Sequence, residues 1–139
     1  MSARRLLLVG LVASALVVAG CGGRSQPQRG GEVPADADVV VEVRFLQPAG
    51  RGARWGIEPA RIEVARGQKV ALVVINDQPL PHDVVFGPPY NLRTPVLTRG
   101  QRAVLTFVAS EGTSVEGIPM WCSVPGHRER GMEGTLVVR

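Results

Sequence analysis

Short segments that alternate hydrophobic and polar residues follow one another through most of the chain. The segment VVVEVRF, which begins at Val39, ends with apolar and charged residues in strict alternation, the period-2 pattern of a β-strand. No segment keeps the 3.6-residue period of a helix. Seven short strands in about 100 residues predict an all-β fold, a two-sheet Greek-key β-sandwich. The predicted strands cover residues 39–45, 61–65, 69–75, 82–86, 102–108, 117–122 and 134–138.

Composition fits this interpretation and narrows the possible functions. The chain has 139 residues, enough for one domain, and its 17 Gly and 11 Pro supply the turns that short strands need. The formal net charge is +4, but Arg4 and Arg5 belong to a leader segment and the other basic residues are scattered among acids. With no basic run and no interleaved aromatic residues, we expect no nucleic-acid binding.

The first 21 residues, MSARRLLLVGLVASALVVAGC, have the three parts of an export signal. Arg4 and Arg5 form a positive region, residues 6–19 are apolar, and small residues precede Cys21. Fourteen apolar residues are short for a membrane-spanning helix, which needs about 20. The segment resembles a bacterial lipoprotein signal, which implies cleavage after residue 20 and a lipid on Cys21. An ordinary signal peptide that ends in a chance cysteine, or an uncleaved anchor, remains an alternative.

The residues after Cys21 predict a flexible linker. Residues 21–37 are rich in Gly, Gln, Pro and Arg and lack large apolar side chains, so they cannot form a core. We therefore divide the chain into a signal peptide at 1–20, a linker at 21–37 and a β-sandwich domain at 38–139. This organisation predicts a monomer anchored by lipid to the outer face of the cytoplasmic membrane or to another extracytoplasmic membrane surface.

One cysteine, one histidine and one methionine lie five positions apart near the end of the chain: Cys122, His127 and Met132. The other histidine, His82, begins a predicted strand, and Cys122 ends one. Because the ends of neighbouring strands meet at one pole of a sandwich, these four side chains can converge. If Cys21 carries lipid, Cys122 has no disulfide partner, and a lone cysteine in an oxidising compartment needs burial or a metal.

Two imidazoles, a thiol and a thioether suit copper better than other metals. Magnesium and calcium prefer oxygen ligands, and structural zinc usually takes four cysteine or histidine ligands. Two histidines and a cysteine with a weak axial methionine are typical of copper electron-transfer sites. Each residue taken alone has an ordinary alternative: His82 as a loop residue, Cys122 and Met132 as core residues.

The ligand segment WCSVPGHRERGMEG, residues 121–134, resembles the copper-binding loop of the cupredoxins, the type 1 blue copper proteins. Its C-x₄-H-x₄-M spacing is similar to that of rusticyanins and sulfocyanins, and the resemblance extends over residues 55–139. It implies one type 1 copper ion with three equatorial ligands, one long axial ligand and a supporting Asp–Ser pair. These are His82, Cys122 and His127 as equatorial ligands, Met132 as the axial ligand, and Asp83 and Ser123 hydrogen-bonded behind them.

The same resemblance implies a function and excludes others. Many cupredoxins carry Asn where this chain has Asp83, and a negative charge there is expected to stabilise Cu(II) and lower the reduction potential. We expect a one-electron carrier, not an enzyme, that serves extracytoplasmic redox proteins such as cytochromes or a terminal oxidase. Electrons are expected to pass the exposed edge of His127, near the apolar residues 87–90. The alternatives are a copper chaperone or buffer that uses the same ligands, and a metal-free binding module.

Overall fold

The structure, a computed structural model, describes residues 28–139, and its regular structure is β-strand. Within this range there is no helix long and apolar enough to span a membrane. The nine strands within the described residues form one sheet of five and one of four, in the orders β1-β7-β5-β2-β3 and β4-β9-β8-β6. The strands are β1 (Gln28–Arg29), β2 (Val39–Leu46), β3 (Gly56–Glu58), β4 (Arg61–Val64), β5 (Lys69–Asn76), β6 (Val85–Phe86), β7 (Gln101–Val108), β8 (Ile118–Trp121) and β9 (Glu133–Val138).

The five-stranded sheet is built around β5, which pairs in parallel with β2 and antiparallel with β7. All but two residues of β5 are buried, because the four-stranded sheet covers one face and the N-terminal segment covers part of the other. In the four-stranded sheet, β9 pairs in parallel with β4 and antiparallel with β8. Both sheets are therefore mixed, and the hydrophobic core lies between them.

Residues 28–38 form an N-terminal strap across the outer face of the five-stranded sheet. β1 pairs with the middle of β7, and Gly30 N–H donates to the Arg102 carbonyl oxygen over 2.8 Å. Val33 and Ala37 pack against buried apolar residues on that face. At the other end of the strap, Asp36 forms an ion pair with Lys69, with 2.6 Å between Oδ1 and Nζ. Most of this strap belongs to the segment that the sequence assigns to the linker; residues 1–27, with the predicted signal peptide and Cys21, lie outside the described residues.

The predicted all-β two-sheet sandwich is confirmed, but some details differ. β3 lies outside the predicted strands, and it pairs with the end of β2. The strand predicted at residues 82–86 is only the two residues of β6, and His82 forms an isolated bridge with Leu97 instead. The backbone before β6 bonds elsewhere: His82 exchanges hydrogen bonds with Leu97, and Val84 does so with Thr94, so only Val85 and Phe86 pair with β8.

Candidate metal centre

The loop between β5 and β6 positions His82. The His82 N–H donates to the Leu97 carbonyl over 3.0 Å, and the Leu97 N–H donates back to His82 over 2.7 Å. The buried Asn76 at the end of β5 donates its side-chain amide to the carbonyls of Leu80 and Leu97, each over 2.8 Å. Two of these hydrogen bonds join the His82 backbone to Leu97, and the two from Asn76 fix Leu80 and Leu97 around it. Together they hold His82 in place without a regular strand.

The loop between β8 and β9 carries the other three candidate ligands and closes on itself. The Cys122 N–H donates to the Met132 carbonyl over 3.0 Å, and the Met132 N–H donates to the His127 carbonyl over 3.1 Å. Gly131 makes the tight return possible with a positive φ of 102°, and a Cβ there would lie 2.9 Å from the Trp55 carbonyl oxygen. The five-residue spacings in the sequence are therefore the spacings of one hydrogen-bonded loop.

Three candidate ligand atoms form a compact triangle. His127 Nδ1 lies 3.1 Å from His82 Nδ1, and Cys122 Sγ lies 3.5 Å from His127 Nδ1 and 3.8 Å from His82 Nδ1. One point within this triangle is about 2.0 Å from all three atoms, which matches metal–imidazole bonds of about 2.0–2.1 Å and is close to a metal–thiolate bond of about 2.3 Å. Within residues 28–139 this is the one group of three or more His, Cys, Asp or Glu side chains arranged to hold a metal ion.

Met132 completes the predicted set by position. Its side chain is fully buried, and its backbone bonds to both Cys122 and His127 place it at the end of the same loop. It is the only thioether that the loop contributes. The axial role of Met132 stays a prediction, as do the individual roles of the three ligands in the triangle.

Neighbouring side chains orient both imidazoles. His82 Nε2 lies 3.2 Å from Gln47 Oε1, and because an amide oxygen can only accept, this contact favours the tautomer that has its proton on Nε2 and leaves Nδ1 free for a metal. The Phe45 ring stacks on His82 with its centroid 4.6 Å away, and the Trp55 ring meets His127 edge-on at 4.9 Å. Nothing in the sequence pattern singled out Gln47 or Trp55, since both belong to a segment without periodicity.

Burial keeps the candidate ligands uncharged when no metal is present. Burial, with a further contribution from His127, lowers the pKa of His82 to about 4. Burial also lowers the pKa of His127, and the nearby charge of Arg130 adds to this effect. Burial raises the pKa of the Cys122 thiol to about 11. At neutral pH the empty site thus holds two neutral imidazoles and a thiol, and a metal must displace the thiol proton to bind.

The predicted hydrogen bond between Asp83 and Ser123 is present, and it is double. Asp83 accepts from both the Ser123 N–H and the Ser123 hydroxyl, each over 2.6 Å, with the Asp83 side chain fully buried. The structure adds Arg93, whose guanidinium lies 3.2 Å from Asp83 and 3.3 Å from the Ser123 hydroxyl. This ion pair partly offsets the carboxylate charge, so the expected lowering of the reduction potential by Asp83 is smaller than the sequence suggests. Nothing in the sequence distinguishes Arg93 from the other arginines.

We expected residues 87–90 to lie near the exposed edge of His127, but the structure places them away from it. Tyr90 packs against Phe107 near the end of β7, and its hydroxyl donates to the Glu111 carbonyl over 3.0 Å. Because β7 begins beside the candidate metal centre and runs away from it, residues 87–90 lie toward the opposite end of the sandwich. The side chain that covers His127 is Trp55.

Comparison with known proteins agrees with this architecture. No protein-family model and no curated protein matches the sequence. Among solved structures, auracyanin B aligns with a TM-score of 0.59 and 21% identity over 81% of this chain and 97% of its own. Auracyanin A, a "blue" copper protein from Chloroflexus aurantiacus, aligns with a TM-score of 0.53 and 19% identity over 72% of this chain and 99% of its own.

An enzyme appears among the similar structures as well. A copper-containing nitrite reductase from Thermus scotoductus aligns with a TM-score of 0.56 and 17% identity, over 74% of this chain but only 31% of the enzyme. The two auracyanins are matched over nearly their whole length, whereas this enzyme is matched over one part. The chain has the cupredoxin fold, and its cluster of His82, Cys122, His127 and Met132 is able to bind one copper ion as a type 1 site.

Proposed function

We propose that this protein is a one-electron carrier that uses a single type 1 copper ion. Copper bound by two imidazoles, a thiolate and a thioether supplies a Cu(II)/Cu(I) couple. The observation that carries the proposal is the triangle of His82 Nδ1, His127 Nδ1 and Cys122 Sγ, whose edges of 3.1, 3.5 and 3.8 Å already leave space for a metal. Auracyanin A, which shares the fold, is described as a blue copper protein.

Burial of the ligands favours electron transfer over chemistry on a substrate. The exposed fraction is 0% for His82 and Met132, 1% for Cys122 and 6% for His127. An electron crosses a thin protein layer without touching the metal, but a substrate must reach an open coordination position. The same burial disfavours a copper chaperone, because its ligands must be accessible for exchange.

The surrounding contacts also suit a carrier, since they hold the ligands before any metal arrives. Gln47 and Phe45 fix the ring of His82, and Trp55 packs against His127. Asp83, which follows His82, accepts two hydrogen bonds from Ser123, which follows Cys122. Ligands that are supported in this way move little when the metal changes its oxidation state, and a small rearrangement makes electron transfer fast.

Copper binding is tested with a chain that starts at residue 22, which keeps all nine strands because they lie within residues 28–138. One equivalent of Cu(II) should give an intense visible thiolate-to-copper band and narrow copper hyperfine splitting in the EPR spectrum. Cys122→Ser should lose both signals. Met120→Leu is the matched control, since Met120 is another buried sulfur residue on β8 and should leave both signals in place.

The carrier function is tested on the same protein. A reductive titration should take up one electron per copper, and a Cu(I)-specific chelator should remove copper only over hours. If the chelator strips the reduced protein within minutes while electron uptake is slow, the protein handles copper and does not carry electrons. A pale copper spectrum that Cys122→Ser leaves unchanged would contradict the type 1 site itself.

Membrane attachment through Cys21 is part of the same proposal. A lipid at this position would keep the domain at an extracytoplasmic membrane surface, where it would exchange electrons with redox proteins such as cytochromes or a terminal oxidase. The support is the order of the leader residues and the small residues before Cys21. In cells, Cys21→Ala should move the protein out of the membrane fraction; if it stays there, the anchor is not a lipid on Cys21.

A further inference from the structure

A cleft lies beside the candidate metal centre, between the segment before β3 and the loop between β8 and β9. Its volume is about 530 Å³, and residues 50–54, Glu129 and Arg130 line it. The two walls are joined where the Trp55 N–H donates to the Arg130 carbonyl over 2.9 Å. We call this feature the arginine cleft, because Arg51, Arg54 and Arg130 all contribute to it and all are exposed.

The positive charge of the arginine cleft is not neutralised within the protein. Five arginines elsewhere in the described chain form ion pairs with carboxylates: Arg44, Arg61, Arg93, Arg128 and Arg139. Among residues 28–139, Arg51, Arg54 and Arg130 have no carboxylate within ion-pair distance. Glu129 also lines the cleft but pairs with none of them, so three positive charges face one negative charge there. Unpaired arginines that share one exposed cleft are typical of a surface that binds carboxylates.

A short series of contacts connects the arginine cleft to the candidate ligands. The Arg130 guanidinium lies 4.5 Å from the centroid of the Trp55 ring, and the edge of that ring meets His127 with 4.9 Å between centroids. Trp55 is 9% exposed, so it forms a thin cover between the cleft and His127. A partner bound in the cleft would therefore sit next to the most exposed of the candidate ligands.

We infer that the arginine cleft is the docking surface for a redox partner protein with an acidic surface. This inference rests on the proposed function: one electron passes between the metal centre and a one-electron redox protein, one is oxidised as the other is reduced, and no bond or proton is transferred. Rim charges of this kind speed and orient encounters without making them permanent, which suits a carrier that must leave after each transfer. A site for a small anion would be expected to use a buried polar group, whereas the charged side chains of this cleft are all exposed.

The test is peptide binding to the copper-free chain from residue 22, followed by amide chemical shifts in NMR spectra. Hexaglutamate should shift the amides of residues 50–55 and 128–131, and its dissociation constant should rise about tenfold when salt is raised from low to physiological ionic strength. Arg51→Gln with Arg54→Gln should weaken binding about fivefold or more. Arg66→Gln is the matched control, since the Arg66 side chain bonds to the Ser110 carbonyl at the other end of the sandwich.

Three results would overturn the inference: shifts that map elsewhere, equal binding by the double variant and the wild-type chain, or inorganic phosphate producing the same shifts at lower concentration than the peptide. The last would make the cleft a small-anion site. Because the titration needs no copper, its outcome is independent of the visible and EPR spectra, which test the proposed metal centre by itself. As a second measurement, ferricyanide, an anion, should oxidise the Cu(I) form of the double variant more slowly than that of wild type, whereas a cationic cobalt(III) oxidant should oxidise it no more slowly; each reaction moves one electron from Cu(I) to the oxidant.

Discussion

Gly134, two residues after Met132, is the position where one added methyl group should damage the candidate metal centre without touching a ligand. A Cβ on Gly134 would overlap the carbonyl oxygen of Ala60 and lie 2.6 Å from Met120 Cε. The Ala60 oxygen cannot easily withdraw, because it accepts a hydrogen bond of 2.8 Å from the Thr135 N–H. Ordinary carbon contacts need about 3.5–4.0 Å, so the start of β9 has to move by about 1 Å.

That displacement has a cost in stability and a visible effect on the metal centre. Overpacking of a close contact costs about 3 kcal/mol, which lowers the melting temperature of a domain of this size by about 10 °C. Because β9 begins at Glu133, its movement also shifts Met132 and the hydrogen bond between the Met132 carbonyl and Cys122. We therefore expect Gly134→Ala to unfold earlier and, when loaded with copper, to show a shifted visible band.

Gly56→Ala provides the matched control for Gly134→Ala. Gly56 also lies in a strand, but a Cβ there would meet only Leu46 at 3.8 and 3.9 Å, which are ordinary contacts. Differential scanning calorimetry of the two variants and the wild-type chain, each without copper, measures the difference. If both variants melt within about 2 °C of each other, the steric argument is refuted.

Three further predictions concern the metal centre. Met132→Leu should keep copper and raise the reduction potential by about 59 mV or more, equivalent to a tenfold loss in relative affinity for Cu(II); an unchanged potential in voltammetry would contradict the axial role. Arg93→Gln should lower the potential, because it leaves the buried Asp83 charge unopposed; the shift should be no more than about 59 mV, since Arg93 is largely exposed. Without copper, stability to urea should be highest near neutral pH and fall by about 3 kcal/mol as the pH drops from about 6.5 to about 4, because the folded state disfavours protonated His82. A flat profile over this range would show that His82 is not buried.

Much of the sandwich could be predicted from the sequence because its longer strands alternate or carry β-branched runs. β2, β5 and β7 each have eight residues, enough for a period-2 pattern to stand out. β1 and β3 have two and three residues, too short for any periodicity, and they are defined only by the strand beside them. The parallel pairing of β2 with β5 depends on contacts between distant segments, which local pattern does not record.

The candidate ligands were predictable for a different reason, which is their rarity. The chain of 139 residues has only two histidines, and one of them shares a loop with a cysteine and a methionine. Each of these residue types also has a distinctive metal chemistry. Gln47, Trp55 and Arg93 are of types that serve many purposes, and irregular segments bring them to the site. Their roles follow from distances that only the folded chain supplies.

The N-terminal strap also protects the five-stranded sheet from association with other chains. β7 would be an edge strand of eight residues, but β1 and the bond from Gly30 cover its middle. A long uncovered edge offers a row of free N–H and carbonyl groups to which a second copy can add its own strand. A chain shortened past residue 31 would expose that edge, and a second copy of the shortened chain could then add a strand to the five-stranded sheet.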